Sequence, residues 1–169
     1  GPEGLAFFYV APEWRESLKL YEYGWHMVAD PGNFDRKDWA PAPDARRFEC
    51  GSPNLLAAHA LEASTGLLLE VGLDQVRSLI DQRVSRLASG LDRIKGITPV
   101  TPREPQRRLG IYTVQVDGLD NRHLCDRLAQ QRVISASRGG GVRFSPHFYT
   151  PYAALEQALD TLERLVRQG

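Results

Sequence analysis

The chain has 169 residues, enough for one sizeable core and close to the length of a single domain, and its apolar and charged fractions are those of an ordinary globule. Its 21 basic and 21 acidic residues cancel, and no basic stripe with interleaved aromatics is present, which argues against nucleic acid or an anionic membrane as the main partner. No apolar run approaches the roughly 20 residues of a transmembrane helix and the start carries no cationic leader, so the expected setting is the cytoplasm, with Cys50 and Cys125 as reduced thiols.

Basic charge is carried mostly by arginine. Lys19, Lys37 and Lys95 are the only lysines, so any Schiff-base chemistry on this chain must use one of them. In chain order, Gly1 to Val10 reads as a Gly-Pro turn feeding a short, buried, continuous apolar strand. Residues 11–50 are broken by Pro12, Pro31, Pro41 and Pro43 and carry Trp14, Tyr21, Tyr23, Trp25, Phe34 and Trp39. So long and aromatic a loop is either functional or covered by another domain or subunit, and coverage is the favoured reading. No metal-ligand spacing surrounds His26 or His59, so no metal site is expected.

Arg46-Arg47-Phe48-Glu49-Cys50-Gly51-Ser52-Pro53-Asn54 precedes a long helical pattern. Ser52 or Asn54 is the expected N-cap, and capping alone explains these residue types, although a Gly-Ser at a helix start also suits a phosphate. Leu56, Ala60, Ala63, Leu67 and Val71 then recur at helical spacing up to Gly72, expected to end that helix. A second helix follows over 73–94 with Leu73, Val76, Ile80, Val84, Leu87, Leu91 and Ile94 inward.

From residue 96 the pattern alternates between strands and helices. Strands are expected at Ile97 to Val100, Gly110 to Val116, Val133 to Ser135 and Val142 to Ser145. One helix, capped by Asn121 and running to Gln131, separates the second strand from the third; a final helix carries Leu155, Leu159, Leu162 and Val166. The fold class is α+β: a long helical pair plus a small, mostly antiparallel sheet with helices on one face. Expected segments are 1–52, an irregular strand-and-loop part; 53–95, the connecting helices; and 96–169, the small carboxy-terminal domain.

The stretch from Ser135 to Thr150 is the most informative. Alternation puts Val142 and Phe144 on one face and Arg143 and Ser145 on the other, so Arg143 points away from the core as a fixed cationic fork. Arg138 precedes a turn of three glycines that lets the backbone bend tightly and leaves room for a ligand. The bland reading, a glycine hairpin with two solvated arginines, stands level with it on these residues alone.

The run Arg-Gly-Gly-Gly-Val-Arg-Phe-Ser-Pro-His-Phe-Tyr at 138–149 resembles the carboxy-terminal signature of the class V aminotransferases. These are fold-type-I pyridoxal-phosphate enzymes that include cysteine desulfurases, kynureninases and epimerase-like members. Arg47 to Asn54 is similar to the family's Arg-Phe-Glu-x-Gly-Thr-Pro-Asn, with Ser52 in place of the threonine, and Gly24-Trp25 to a Gly-Trp of some members.

The resemblance implies that Arg143 binds the substrate α-carboxylate, that Arg138 and His147 are secondary substrate contacts, and that Gly51 and Ser52 reach the cofactor phosphate across a homodimer interface. It further implies that residues 1–52 are a remnant of the large pyridoxal-phosphate domain and that the Schiff-base lysine precedes Gly1. The chain then carries no catalytic residue of its own, holds no covalently bound cofactor, and is inactive alone as part of an aminotransferase, lyase or epimerase acting on a small amino acid. A desulfurase's nucleophilic cysteine has no counterpart in Gly139-Gly140-Gly141. The alternative function is a non-catalytic binding or dimerisation module derived from the same fold.

Overall fold

A computed structural model describes residues 3–168, and these form two compact units that divide between Glu70 and Val71. The first unit is mostly irregular. Short 3-10 turns lie at Pro12–Trp14 and Ala45–Phe48, an isolated bridge joins Val28 to Pro41, and the unit ends in helix α1, Leu55–Val71, whose last residue already belongs to the second unit. Its buried side chains include Val10, Met27 and Ala42. Met27 is held by backbone bonds on both flanks: Ala42 N–H donates to its carbonyl at 2.8 Å, and Ala29 N–H donates to Ala40 at 2.9 Å.

The buried strand expected over residues 1–10 does not form. Gly1 and Pro2 lie outside the described residues; Phe7, Phe8 and Tyr9 are 83%, 61% and 80% exposed, and only Val10 is buried. An apolar run becomes a strand only where a neighbour takes its N–H and C=O groups, and none of the described residues does so here. The apolar stripe expected on α1 is likewise uncovered within its unit. Leu56 and Leu67 are exposed and Ala57 alone is buried, because the helix is apolar on every side rather than along one. Asn54 is its cap: the side-chain Oδ1 accepts from Ala57 N–H at 3.1 Å, which leaves Pro53 outside the first turn and Ser52 without a capping role.

In the second unit, α2 (Leu73–Leu91), β1 (Ile97–Pro99), β2 (Tyr112–Val116), α3 (Asn121–Gln130), β3 (Ala136–Arg138), β4 (Gly141–Phe144) and α4 (Tyr152–Arg167) follow in order. The sheet order is β1-β2-β4-β3, antiparallel at every pairing. Helix α2 belongs with this sheet, so the helical pair expected at 53–95 is split at Gly72. Gly72 sits at φ +87°, a conformation that breaks the helical run at little cost only for glycine.

Period-2 alternation and helical stripes meet in one core. Tyr112, Val114, Val116, Val142 and Phe144 supply the sheet face; Val84, Leu87 and Leu91 of α2, Leu124 and Leu128 of α3, and Leu159 and Leu162 of α4 cover it. Gly90 of α2 lets α4 approach, since a Cβ there would lie 2.3 Å from a methyl of Leu159. One turn away, Arg86 grips Glu156 through two bonds of 2.8 and 2.6 Å; this half-exposed pair adds at most about 1 kcal/mol and chiefly fixes register.

Two boundaries moved for identifiable reasons. The strand expected at Val133 to Ser135 begins instead at Ala136, because the end of α3 consumes the earlier residues. Val133 N–H donates back to Leu128 and Arg132 N–H to Ala129, with Arg132 left-handed at φ +61°: a Schellman cap with arginine where glycine is usual. At the other end, Asp120 rather than Asn121 caps α3, accepting from the N–H groups of Arg122 and His123, which hold its carboxyl below the usual carboxylate range. Asn121 is the first helical residue, and its Oδ1 accepts from Val116 N–H at 2.9 Å, closing the end of β2.

Candidate functional site

The face of the sheet opposite the helices is polar. In register across three strands it carries Thr113, Arg143 and Ala136, with Arg138 two residues beyond Ala136 on the same face, opposite Gly141. Arg143 stands on the inner strand β4, between Val142 and Phe144, whose burial at 0% and 5% anchors the strand and fixes which way the arginine faces. Thr113, its β2 neighbour, is buried, and its N–H donates to Thr101 Oγ1 at 2.9 Å, so the loop after β1 braces that side.

The β3–β4 connection is a two-residue hairpin loop. Gly139 and Gly140 sit at φ +58° and +73°, the positive pair that a type I′ turn requires. Gly141 is needed for a different reason. A Cβ there would lie 2.4 Å from the Val114 carbonyl oxygen, so any side chain would force β4 away from β2.

The guanidinium of Arg143 is half-buried, and its Nε is fully enclosed with no hydrogen-bond partner. Arg138 is exposed and donates from Nη1 to the Ser137 carbonyl at 2.8 Å. Among the described residues no carboxylate lies within ion-pairing distance of either. Elsewhere in the unit Arg77, Arg86, Arg103, Arg107 and Arg167 have acidic partners, whereas Arg83, Arg93, Arg108, Arg122, Arg127, Arg132 and Arg164 have none among the described residues; what sets Arg143 apart in this unit is its enclosed, unpartnered Nε. A forked donor held rigid, partly desolvated and unpaired is a ready receptor for a planar anion.

His147 lies beyond β4 in the loop leading to α4. Its N–H donates to Thr150 Oγ1, its carbonyl accepts from Thr150 N–H, both at 2.9 Å, and its ring packs against Phe148 and Tyr149. Arg83 of α2 then pins the loop by donating from Nε to the Thr150 carbonyl at 2.7 Å. The loop is thereby built around His147, while its enclosed Nδ1 has no partner.

A cleft of about 220 Å³ opens beside α4, lined by Leu87, Val133, Phe144, Pro146, Leu155 and Ala158 among others. Neither Arg138 nor Arg143 lines it, and Arg132 is its one charged residue.

Gly51 and Ser52 belong to the first unit, whereas Arg138, Arg143 and His147 belong to the second. Gly51 has open space around its Cα, and Ser52 is exposed ahead of the capped end of α1. Two features of this segment were missed in the sequence. Gly24 touches the Cys50 backbone so closely that a Cβ would overlap the carbonyl oxygen, and His26 N–H donates to that oxygen at 3.4 Å; together they hold the chain just before Gly51. Arg47 is buried at 8% exposure, its Nε has no hydrogen-bond partner, and among the described residues no carboxylate pairs with it. The glycine-aromatic pair Gly24-Trp25 was the available signal for the first; nothing local signals the second. Among the described residues there is no cluster of potential metal ligands, and no single helix is long and apolar enough to cross a membrane.

Residues 1–153 match the sequence family described as aminotransferase class-V. This chain belongs to that family. It is 28% identical over 164 residues to an uncharacterized aminotransferase, YcbU, of Bacillus subtilis, covering 96% of this class V chain and 41% of the relative. It is 30% identical over 118 residues to a probable cysteine desulfurase of Halalkalibacterium halodurans, covering 69% of this chain and 27% of that one. The apo structure of a cysteine desulfurase from Thermococcus onnurineus NA1 superposes with a TM-score of 0.82 at 22% identity, over 95% of this chain and 42% of that one, and so shares its fold. The class V chain thus spans less than half the length of these relatives. The likeness extends over nearly the whole of this chain and includes the antiparallel sheet with helices on one face.

Proposed function

We propose that this chain is the carboxy-terminal part of a pyridoxal-phosphate enzyme acting on a small amino acid, in which Arg143 binds the substrate carboxylate. The observation that carries the reading is the half-buried, unpaired Arg143 fork on the polar face of the sheet. A partly desolvated guanidinium whose direction is fixed by two core neighbours and which has no acid partner among the described residues supports its being held open for an anion from outside.

The described residues fit the cofactor in part. Gly51 offers backbone with no side chain in the way and Ser52 a hydroxyl without an intramolecular task, which suit a phosphate and support the proposal that these two contact it across a homodimer interface. For covalent attachment the fit is poor: Lys19, Lys37 and Lys95 are all exposed, and Lys37, which lines a surface pocket of the first unit, stands there with Arg36 and Asp38 and not with Gly51 or Ser52. The lysine is therefore assigned to a part of the enzyme outside these residues.

When bound, pyridoxal phosphate supplies an electron sink for the bond to be broken at the substrate Cα. The work of this chain is orientation. Two parallel N–H groups of Arg143 hold the carboxylate plane, which leaves rotation about the Cα–carboxylate axis as the freedom still to be fixed by contacts elsewhere. Val142 and Phe144, locked in the core, keep the fork from swinging, and the loop of His147, tied by Arg83 and Thr150, borders the end of the strand. Whether the bond broken belongs to a transamination, an elimination or an epimerisation is decided by residues beyond this fork.

Titrating the chain with L-alanine tests the reading. Saturable binding is expected, weakened about 10- to 100-fold in Arg143→Ala, the loss of a charge-assisted forked hydrogen bond. Equal binding by the two proteins removes Arg143 from the role.

A further inference from the structure

Arg143 is not the only unpaired cation on its face. In the sheet register Arg143 opposes Ala136 on β3, and Arg138 lies two residues further along the same strand and on the same face, a diagonal neighbour across one strand gap. Gly141, the partner of Arg138 and the neighbour of Arg143 along β4, puts no side chain between the two. Two guanidinium groups placed as diagonal neighbours repel each other unless an anion lies between them, and among the described residues none does. Arg138 spends only Nη1 on the Ser137 carbonyl. Its Nε and Nη2 make no hydrogen bond among the described residues, and edge strand β3 leaves them reachable.

We propose that this face selects amino acids with a second carboxylate, Arg143 holding the α-carboxylate and Arg138 the distal one. The proposal rests on the Arg143 reading and adds the substrate class. A monocarboxylic substrate satisfies Arg143 and leaves Arg138 uncompensated; an acidic amino acid neutralises both, its short methylene chain spanning the gap between the two side chains. Discrimination arises because the distal amide of glutamine offers one neutral acceptor where glutamate offers an ionised, two-oxygen one.

The test follows the side-chain Nε–H signals of Arg138 and Arg143 by nitrogen-15 NMR while the chain is titrated with L-glutamate, L-aspartate and the neutral isostere L-glutamine. Both arginine signals are expected to move with at least one of the two acids, that of Arg138 by more than it moves with glutamine. The preferred acid should bind about tenfold or more tightly than glutamine. Arg138→Ala should bring acid and amide to within about twofold, chiefly by weakening the acid, since the loss of an exposed residue leaves the fold intact. Arg122→Ala, which removes the same charge from the exposed surface of α3, should leave the preference in place.

If acid and amide bind equally while Arg143 responds to both, the second-carboxylate proposal is overturned and the α-carboxylate reading survives. A preference lost equally in Arg122→Ala also overturns it, since long-range charge then accounts for the effect. If no ligand moves Arg143, the underlying reading fails and takes this one with it.

Discussion

At the scale of single residues, the direction of Arg143 follows from its neighbours. Period 2 puts it opposite Val142 and Phe144, and because those two are core residues the alternation has one solution. That much was legible in the sequence, as was the need for a tight turn at the glycines. The separate reasons for each glycine were not, since only the register shows Gly141 backed against the Val114 carbonyl while Gly139 faces open space. The two positions should respond differently. Gly139→Ala pays only for a left-handed backbone, about 1 kcal/mol. Gly141→Ala drives a methyl into the backbone of β2 and should cost about 1–3 kcal/mol, and more of the Arg143 geometry with it. Urea denaturation of both variants checks the order; equal costs would mean that β4 is free to move off β2.

Among the elements, helices with one apolar stripe were placed to within a turn, and the two failures share a cause. α4 buries Leu155, Leu159, Leu162 and Leu165 along one side, and α3 buries Leu124 and Leu128. Residues 5–10 and α1 are apolar without a periodic polar side, so pattern alone marked them as buried without saying by what. In the structure Phe7, Phe8 and Tyr9 of the first and Leu55, Leu56, Leu67 and Leu69 of the second stay exposed. The displaced start of β3 has a different origin, the Schellman cap that carries α3 on to Val133 with Arg132 left-handed. Arginine is a costly choice there. Arg132→Gly is expected to raise the unfolding free energy by about 1 kcal/mol, read as a higher midpoint in thermal denaturation, and no change would show that the arginine side chain repays the strain through contacts of its own.

On the scale of the whole molecule, the family membership and the fold of the second unit stand together with a chain that spans about 41% of its aminotransferase relative. On the proposed reading the sheet face receives a carboxylate and Gly51-Ser52 a phosphate, while all three lysines are exposed and Lys37 lines a pocket apart from Gly51 and Ser52. Mixed with pyridoxal phosphate, this chain is therefore expected to give no stoichiometric visible absorption band; a band abolished by Lys19→Ala or Lys37→Ala would overturn that division of labour. The recognition of the substrate through its carboxylate is the central claim, and comparing L-alanine with L-alaninamide in calorimetric titrations of the chain addresses it most directly. The account predicts that alanine binds and that its amide, which lacks the anion, binds about tenfold or more weakly, with the difference gone in Arg143→Ala. Equal affinities for the acid and its amide in the unsubstituted chain would contradict it.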